Sequence, residues 1–280
     1  MKKLFLGLLT IALFSTIGAS AQIVDEAPLD GLYEDEVLIN REPIPLPTIR
    51  KADVMWSKRI WREVDFRQKF NQKFYFPLET QADWKSFIIV VLDALKEGEL
   101  TAYDISNTDE LLVPITYREI IGRQTDSLYQ VMRRPYPPYD EYDTVIFTEF
   151  DPTKVMRLRI KEDWYFDKQR SQMMVRIQAI CPVMIKERDG QEVTEPLFWI
   201  SYPDSRDVFV QAYVYNEYNS AARLNYDEVF WKRLFDSYVY KEANVYDRRI
   251  SQYATGIDAL LEAERIKTQM FQFEEDLWEY

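Results

Sequence analysis

The spacing of apolar residues changes along the chain, and each change predicts a different element. Leu4 to Ile17 is an almost unbroken apolar run behind Lys2 and Lys3, and Ala19-Ser20-Ala21 follows it. A basic start, a short apolar stretch and a small-x-small triplet describe a secretory signal, too short to span a bilayer. Residues 1–21 are therefore expected to be cleaved, and no cysteine follows that point to carry a lipid. Residues 22–47 are acidic and broken by Pro28, Pro43, Pro45 and Pro47. Alternate prolines fix φ and remove amide donors, which predicts an extended arm. Leu32, Tyr33, Val37, Leu38 and Ile39 are too apolar for a solvated tail, so the arm is expected to lie on the body or on a neighbouring subunit.

Over 48–255 the pattern predicts a body in which helices come first, strands next and helices again. Ala52, Trp56, Ile60 and Val64 recur every four residues with Met55 beside them, which predicts a helix with Trp61 off its apolar stripe and exposed. Phe74-Tyr75-Phe76-Pro77 reads as a short strand or an extended aromatic linker. Phe87, Ile88, Val91, Leu92 and Leu95 form the face of a second helix, capped by Asp83 and stopped by Lys96-Glu97-Gly98. A strand is expected over Leu100–Tyr103. Thr116 and Glu119 form a capping box for a short helix that Gly122 should end, and residues 133–143 read as an irregular aromatic loop.

Near the middle the period drops to two. Met156, Leu158 and Ile160 alternate with Arg157, Arg159 and Lys161, predicting a half-buried strand with a basic outer edge. Asp167 to Ser171 can turn the chain into a strand from Met174 to Ile180, with Arg176 and Gln178 on one face, which Pro182 should interrupt or place at an edge. Asp189-Gly190 signals a hairpin between 183–186 and 197–201, and Val208 to Tyr215 is strand-like. Asn225 with Glu228 then caps a helix carrying Val229, Phe230, Leu234, Phe235 and Tyr238. In the last segment, 256–280, Ile266, Met270, Phe273 and Leu277 stand at i, i+4, i+7 and i+11 of an amphipathic helix, free to dock on its own body or on a neighbour. The fold expected is α+β: an antiparallel meander of about four strands flanked by N-terminal and C-terminal helices, with an extended N-terminal arm.

Composition removes most chemistry. There is no histidine, one cysteine and 7 glycines, so His relays, imidazole ligands and CxxC pairs are absent. The glycines, at 7, 18, 31, 98, 122, 190 and 256, are too scattered for a phosphate-cradling loop. No cofactor and no metal are expected. With 35 basic and 47 acidic residues the net charge is −12, which argues against nucleic acid. Cys181, in an apolar context, reads as a small buried hydrophobe, with an intermolecular disulfide as the alternative. Any catalysis would fall to carboxylates: Glu162 and Asp163 beside Trp164, or Asp140, Glu141 and Asp143 among tyrosines, could serve a glycan hydrolase. With so many acids such pairs arise by chance, and a non-enzymatic protein is expected; a monomeric glycan-binding module is a further alternative. Aromatic residues make up 15 % of the chain, and its tyrosines outnumber what a core could readily hydrogen-bond, which suggests contact with other proteins. Pro43, Pro45 and Pro47 of the arm, Trp61, and Ile266, Met270, Phe273 and Leu277 of the closing helix are the candidate partner-binding residues.

Several strings point to one family. Ala52-Asp53-Val54-Met55-Trp56-Ser57-Lys58-Arg59-Ile60-Trp61-Arg62 resembles the signature of the GldN/PorN family of the Bacteroidetes gliding and type IX secretion apparatus. Lys96-Glu97-Gly98 with Leu100 to Asp104, Ile160 to Asp167, Phe230 to Phe235 and Glu242 to Arg248 are similar as well, so the likeness runs from about Gly31 to Ile250. The resemblance implies a non-enzymatic periplasmic structural component. It would form a large ring with a GldK/PorK-like lipoprotein beneath the outer membrane, reaching that membrane only through partners. It would also contact the GldM/PorM-like motor subunit, in a machine that exports proteins bearing a C-terminal sorting domain, gliding adhesins among them.

Overall fold

The stretch whose apolar residues recur every four positions is a strand. Val54–Asp65 forms β1 where a helix was expected. Four is a multiple of two as well as close to one helical turn, so the spacing suits either period. Arg59 and Glu63 occupy the i+3 places that a helical face would need apolar, and Val54, Ile60 and Val64 are β-branched, which breaks the tie.

The computed structural model describes residues 41–276 except 82–83, 106–108, 134, 138–140, 149, 189, 218 and 220–221. The signal, the arm up to Asn40, Asp83 and Leu277 therefore lie outside the described residues. After β1 come α1 (Phe87–Glu97), β2 (Ala102–Tyr103), β3 (Pro114–Ile115), α2 (Tyr117–Gln124), β4 (Asp126–Arg133) and β5 (Glu141–Thr148). The long strands β6 (Val155–Asp167) and β7 (Gln172–Arg188) follow, then β8 (Gln191–Pro196), β9 (Trp199–Ser201) and α3 (Tyr202–Gln211). The chain closes with β10 (Tyr213–Val214), β11 (Leu224–Asn225), α4 (Tyr226–Trp231), β12 (Tyr238–Glu242) and α5 (Ile257–Asp276).

The fold is α+β. Its main sheet has 8 strands in the order β12-β1-β6-β7-β9-β2-β3, with β8 beside β7, and neighbours run antiparallel. The first two strands of the meander read from the sequence are β6 and β7 at the centre of this sheet. The hairpin at Gly190, however, returns through 191–196 and not 197–201, whose β9 pairs with β7 before Pro182, and 208–215 adds no strand to the sheet. The turn at 168–171 joins β6 to β7, and Gly190, at φ 75°, turns β7 into β8. Pro182 neither ends β7 nor puts it at an edge. Its carbonyl accepts from the Leu197 N–H at 2.9 Å, where the partner of β7 changes from β9 to β8. Both backbone polar groups of an antiparallel residue face the same neighbour, so the missing N–H falls at that junction and spares the ladder to β6.

Other boundaries shift for local reasons. Ser86, not Asp83, stands at the N-cap of α1, and Gly98 ends it at φ 81°. The Thr116–Glu119 capping box opens α2, which runs past Gly122 to Gln124. Residues 133–143 are not one irregular loop, since Arg133 and Glu141 to Asp143 belong to the β4–β5 hairpin. Val208 to Gln211 close α3, whose first turn holds Pro203 where a missing N–H costs nothing. Asn225 caps α4 through the Glu228 N–H at 2.7 Å, but the helix ends at Trp231, and Tyr238 starts β12.

The largest core lies against one face of the sheet. A 3₁₀ turn, Lys69–Phe74, is the actual form of the segment leading into the expected aromatic linker, and it delivers Phe74 to the centre. That ring lies 5.5 Å from Phe230, 5.6 Å from Phe66 and 5.9 Å from Phe87. Val64, Leu158, Ile160 and Ile180 complete the cluster from the sheet. Fully buried Asn71 holds the turn in place, donating to the carbonyls of Asp65 and Asp236 at 2.9 Å each and accepting from the Asp236 N–H.

Candidate assembly surface

Helix α5 is amphipathic in the sense the sequence suggests, and its apolar stripe is spent on its own sheet. Ala263, Ile266 and Met270 are buried against Ile60 of β1, Val239 of β12 and Ile250. Phe273 is half-buried, its ring 4.8 Å from that of Trp56. Residues that share a helical face fall at i, i+3, i+4 and i+7, so this seat fixes which way every other α5 side chain points.

The opposite side of the same helix is uncovered in this chain. Ile257 is 75 % exposed, Leu260 62 %, Leu261 63 % and Phe271 61 %. At 100° per residue Ile257, Leu261 and Phe271 face away from Ile266 and Met270, and Leu260 stands on the flank between the two sides. The segment leading into α5 adds more: Val245, Tyr246 and Tyr253 are exposed, with the Arg248 guanidinium over the Tyr246 ring at 4.4 Å. Tyr253 donates its hydroxyl to Glu262 at 3.3 Å, tying this segment to the helix, and Arg265 forks onto the same carboxylate. The helix and its inner stripe are legible in the sequence; the outer residues lack a regular spacing that would single them out.

The remaining candidates lie elsewhere. Pro43, Pro45 and Pro47 sit in a segment without regular structure that rests on the body. With alternate donors removed, carbonyls are what this segment can offer, and arginines take them: Arg206 Nη1 donates to the Ile44 carbonyl at 2.6 Å and Arg176 Nη2 to that of Pro47. Arg206 is itself fixed by a buried fork onto Asp227, at 2.7 and 2.8 Å, which also accepts from the Tyr202 hydroxyl at 3.0 Å. The Asp227 carboxylate raises the Arg206 pKa, so the clamp stays charged. Trp61 is not exposed. It is buried on the far side of the sheet with Ala179, Cys181, Val183 and Trp199, because strand alternation, not a helical stripe, decides where it points.

Two of the carboxylates singled out for catalysis, Glu162 and Asp163, are engaged by arginines. Glu162 is fully buried and accepts from Arg233 at 2.8 and 3.3 Å and from the Trp164 indole at 3.0 Å, and Asp163 takes a fork from Arg59 at 2.7 and 2.9 Å. Each acid is thus anchored by a guanidinium, and Arg233 also lies over the Trp164 ring, 5.5 Å from its centroid. Glu141 and Asp143 lie on β5, and Asp140 is outside the described residues. Arg159 and Lys161, expected on an outer basic edge, are buried: Arg159 Nε meets Glu63 at 2.9 Å and Lys161 Nζ the Asp109 carbonyl at 2.6 Å. Cys181 is buried, and burial pushes its thiol up to about 12. Much of the tyrosine surplus is also structural, since Tyr202, Tyr226 and Tyr238 each find an acceptor inside the fold.

Among the described residues no helix is long and apolar enough to cross a membrane. Fold and surface define a class: an α+β protein on one antiparallel sheet whose closing helix is seated by one face and bare and apolar on the other. The chain belongs to the GldN family, described as gliding motility associated proteins, whose model matches residues 49–279. That match extends beyond Ile250 and takes in α5. No curated protein matches the chain.

Proposed function

We propose that this gliding motility associated protein is a non-enzymatic structural subunit of the type IX secretion machinery. It works in the periplasm, in a ring built with a GldK/PorK-like lipoprotein at the outer membrane and in contact with a GldM/PorM-like motor subunit. The family membership supports the setting, and the bare outer face of α5 supports the role. That observation carries the reading: Ile257, Leu260, Leu261 and Phe271 stand in solvent on a helix whose other side is seated on the sheet through Ala263, Ile266 and Met270. Covering each such side chain is worth about 1.5–3 kcal/mol, which is the scale of an interface anchor. The occupant we assign to this face is the adjoining copy of the chain in the ring, since repeated head-to-tail contacts close when the rotation between subunits fits.

The test is Leu260→Ser with Leu261→Ser, co-expressed with the lipoprotein and sized by gel filtration. Both positions are exposed, so folding stability should stay within about 0.5 kcal/mol by thermal melt. The large complex should give way to small species, and cells should stop spreading. A complex of native size from the double variant would sink the proposal.

A further inference from the structure

Beside the start of α5 the structure holds a cavity of about 290 Å³ between β1, β6, β12 and the segment before the helix. Its lining includes three arginines, Arg157, Arg159 and Arg249, and one carboxylate, Glu63, in a chain whose net charge is −12. Glu63 is fully committed: it accepts from Arg157 Nη1 at 3.0 Å, from Arg159 Nε at 2.9 Å and from the Tyr238 hydroxyl. Arg157 also has Asp65 at 3.5 Å. Asp65 is held more closely by Arg67, at 2.9 Å, and Arg157 Nε is buried without a hydrogen-bond partner among the described residues. Three guanidiniums thus share one committed carboxylate, and the open donors are those of Arg159 and Arg249. Arg159 is buried on the ring of Tyr240, at 4.9 Å, and bonds through Nε, with no acceptor for either Nη among the described residues. Arg249 is exposed, and its side chain enters no ion pair among the described residues. A desolvated guanidinium fork backed by an aromatic ring, with a second guanidinium nearby, is the arrangement that takes a carboxylate. Leu260 of the bare α5 face belongs to the same lining, so the socket adjoins an apolar surface.

We infer that this cavity is a carboxylate socket for the acidic arm of a second copy of the chain. Residues 22–40 carry Asp25, Glu26, Asp30, Glu34, Asp35 and Glu36 and no lysine or arginine. Glu34-Asp35-Glu36 is flanked by Leu32-Tyr33 and by Val37-Leu38-Ile39, an acidic centre with apolar sides that mirrors a basic socket beside an apolar helix face. Fully extended, 19 residues reach about 65 Å, enough to cross to a neighbour. The choice of a second copy rests on the assembly reading above, since an arm of one subunit in the socket of the next repeats head to tail.

The probe is a fluorescent peptide of residues 22–40, titrated into the full-length mature chain in which Glu34→Gln, Asp35→Asn and Glu36→Gln silence its own arm. Anisotropy should show binding that weakens as salt rises. Arg249→Glu, at an exposed position that leaves folding intact, should weaken it about tenfold, and a peptide with the same three acids neutralised should lose as much. Sedimentation velocity should show the native chain self-associating and Arg249→Glu monomeric. Self-association should return when Arg249→Glu is combined with Glu34→Lys and Glu36→Lys. Equal affinity for acidic and neutral peptides, or no effect of Arg249→Glu, would overturn the socket. A native chain that is monomeric, with its arm acids protecting the cavity in the same molecule, would overturn the second copy as occupant. If the peptide fails while the Leu260 and Leu261 variant still breaks the lipoprotein complex, the assembly reading stands and the socket alone falls.

Discussion

On the helix side of the sheet, the rings of Phe74, Phe87, Tyr226 and Phe230 pack mostly edge-on or tilted, with centroids of the contacting pairs 5.3–6.1 Å apart. On the far side, Trp61, Ala179, Cys181, Val183 and Trp199 make a smaller cluster beside buried Arg159, Lys161, Lys241 and Glu63. The same strands supply both: Ile160 and Ile180 face the rings, while Arg159, Lys161, Ala179 and Cys181 face the charges. The buried tyrosine hydroxyls of the ring side are satisfied, Tyr226 donating to the Lys85 carbonyl at 2.9 Å and Tyr202 to Asp227 at 3.0 Å. On the charge side the indole N–H groups of Trp61 and Trp199 are buried without a partner among the described residues. What the charges do there is local: Lys161 and Lys241 both reach Asp109, at 2.6 and 2.9 Å, and hold its loop across the sheet. The contrast separates a core that specifies the fold from a cover that fastens one segment.

The largest break in that contrast should come at Phe74. Five aromatic neighbours surround its ring, and the site cannot collapse onto all of them at once. Phe74→Ala should cost about 3–5 kcal/mol in urea or thermal unfolding, a large share of the stability of any single domain. A loss below about 1 kcal/mol would mean that the rings are not the folding core.

Next in size is a pH effect that should tell the two sides apart. Burial holds the Cys181 thiol protonated to about 12, while in the unfolded chain it ionises near 8.5, so above that pH the unfolded state binds fewer protons. Stability from this group is then complete below about pH 8.5 and falls by up to about 1.4 kcal/mol per pH unit as pH rises toward the folded value. On the ring side burial likewise raises Tyr226, and burial with the Asp227 charge raises Tyr202, so their share begins to fall only above the ordinary tyrosine value near 10. Melting curves from pH 8 to 10.5 should show stability declining from about 8.5 in the native chain and from about 10 in Cys181→Ala. Identical pH profiles for the two would remove the assignment.

How much of this could be read from the sequence depends on what kind of signal each part leaves. Helix α1 is legible because five apolar residues fall on one broad face and Gly98 supplies the left-handed stop. β6 and β7 are legible from alternation and the turn after β7 from Asp189-Gly190, but the strand that returns from it, 191–196, carries no apolar alternation and is missed in favour of 197–201. β1 is not legible from its stripe, because a spacing of four suits both periods. The polar Arg59 and Glu63 and the β-branched Val54, Ile60 and Val64 are the weaker signal that favours a strand, which pairs with β6 and β12. Trp61 and the basic strand residues fail with it: Arg159 and Lys161 look like a solvated edge until Glu63 and Asp109, distant in sequence, arrive to neutralise them. For α5 the helix and its stripe were plain, but a stripe does not say whose surface it meets. That the sheet of the same chain takes it, leaving Leu260, Leu261 and Phe271 bare, is a tertiary fact.

The smallest expected effect is the sharpest probe of the two sides, because it compares ring for ring. Tyr226→Phe removes a buried hydroxyl that has an acceptor, leaves the Lys85 carbonyl unpaired, and should cost about 1–2 kcal/mol. Trp61→Phe removes a buried N–H that has none. The indole loses some packed area and its contact with the Lys241 ammonium, 4.3 Å from the ring, a contact that a phenyl ring partly replaces. Relief of an unsatisfied donor offsets that loss, since such a group costs about 1–3 kcal/mol when buried. The net change should therefore lie within about 1 kcal/mol of zero, measured against Tyr226→Phe in the same urea titration. If Trp61→Phe instead costs as much as Phe74→Ala, the indole N–H is bonded in solution and the far side of the sheet is a specifying core like the first.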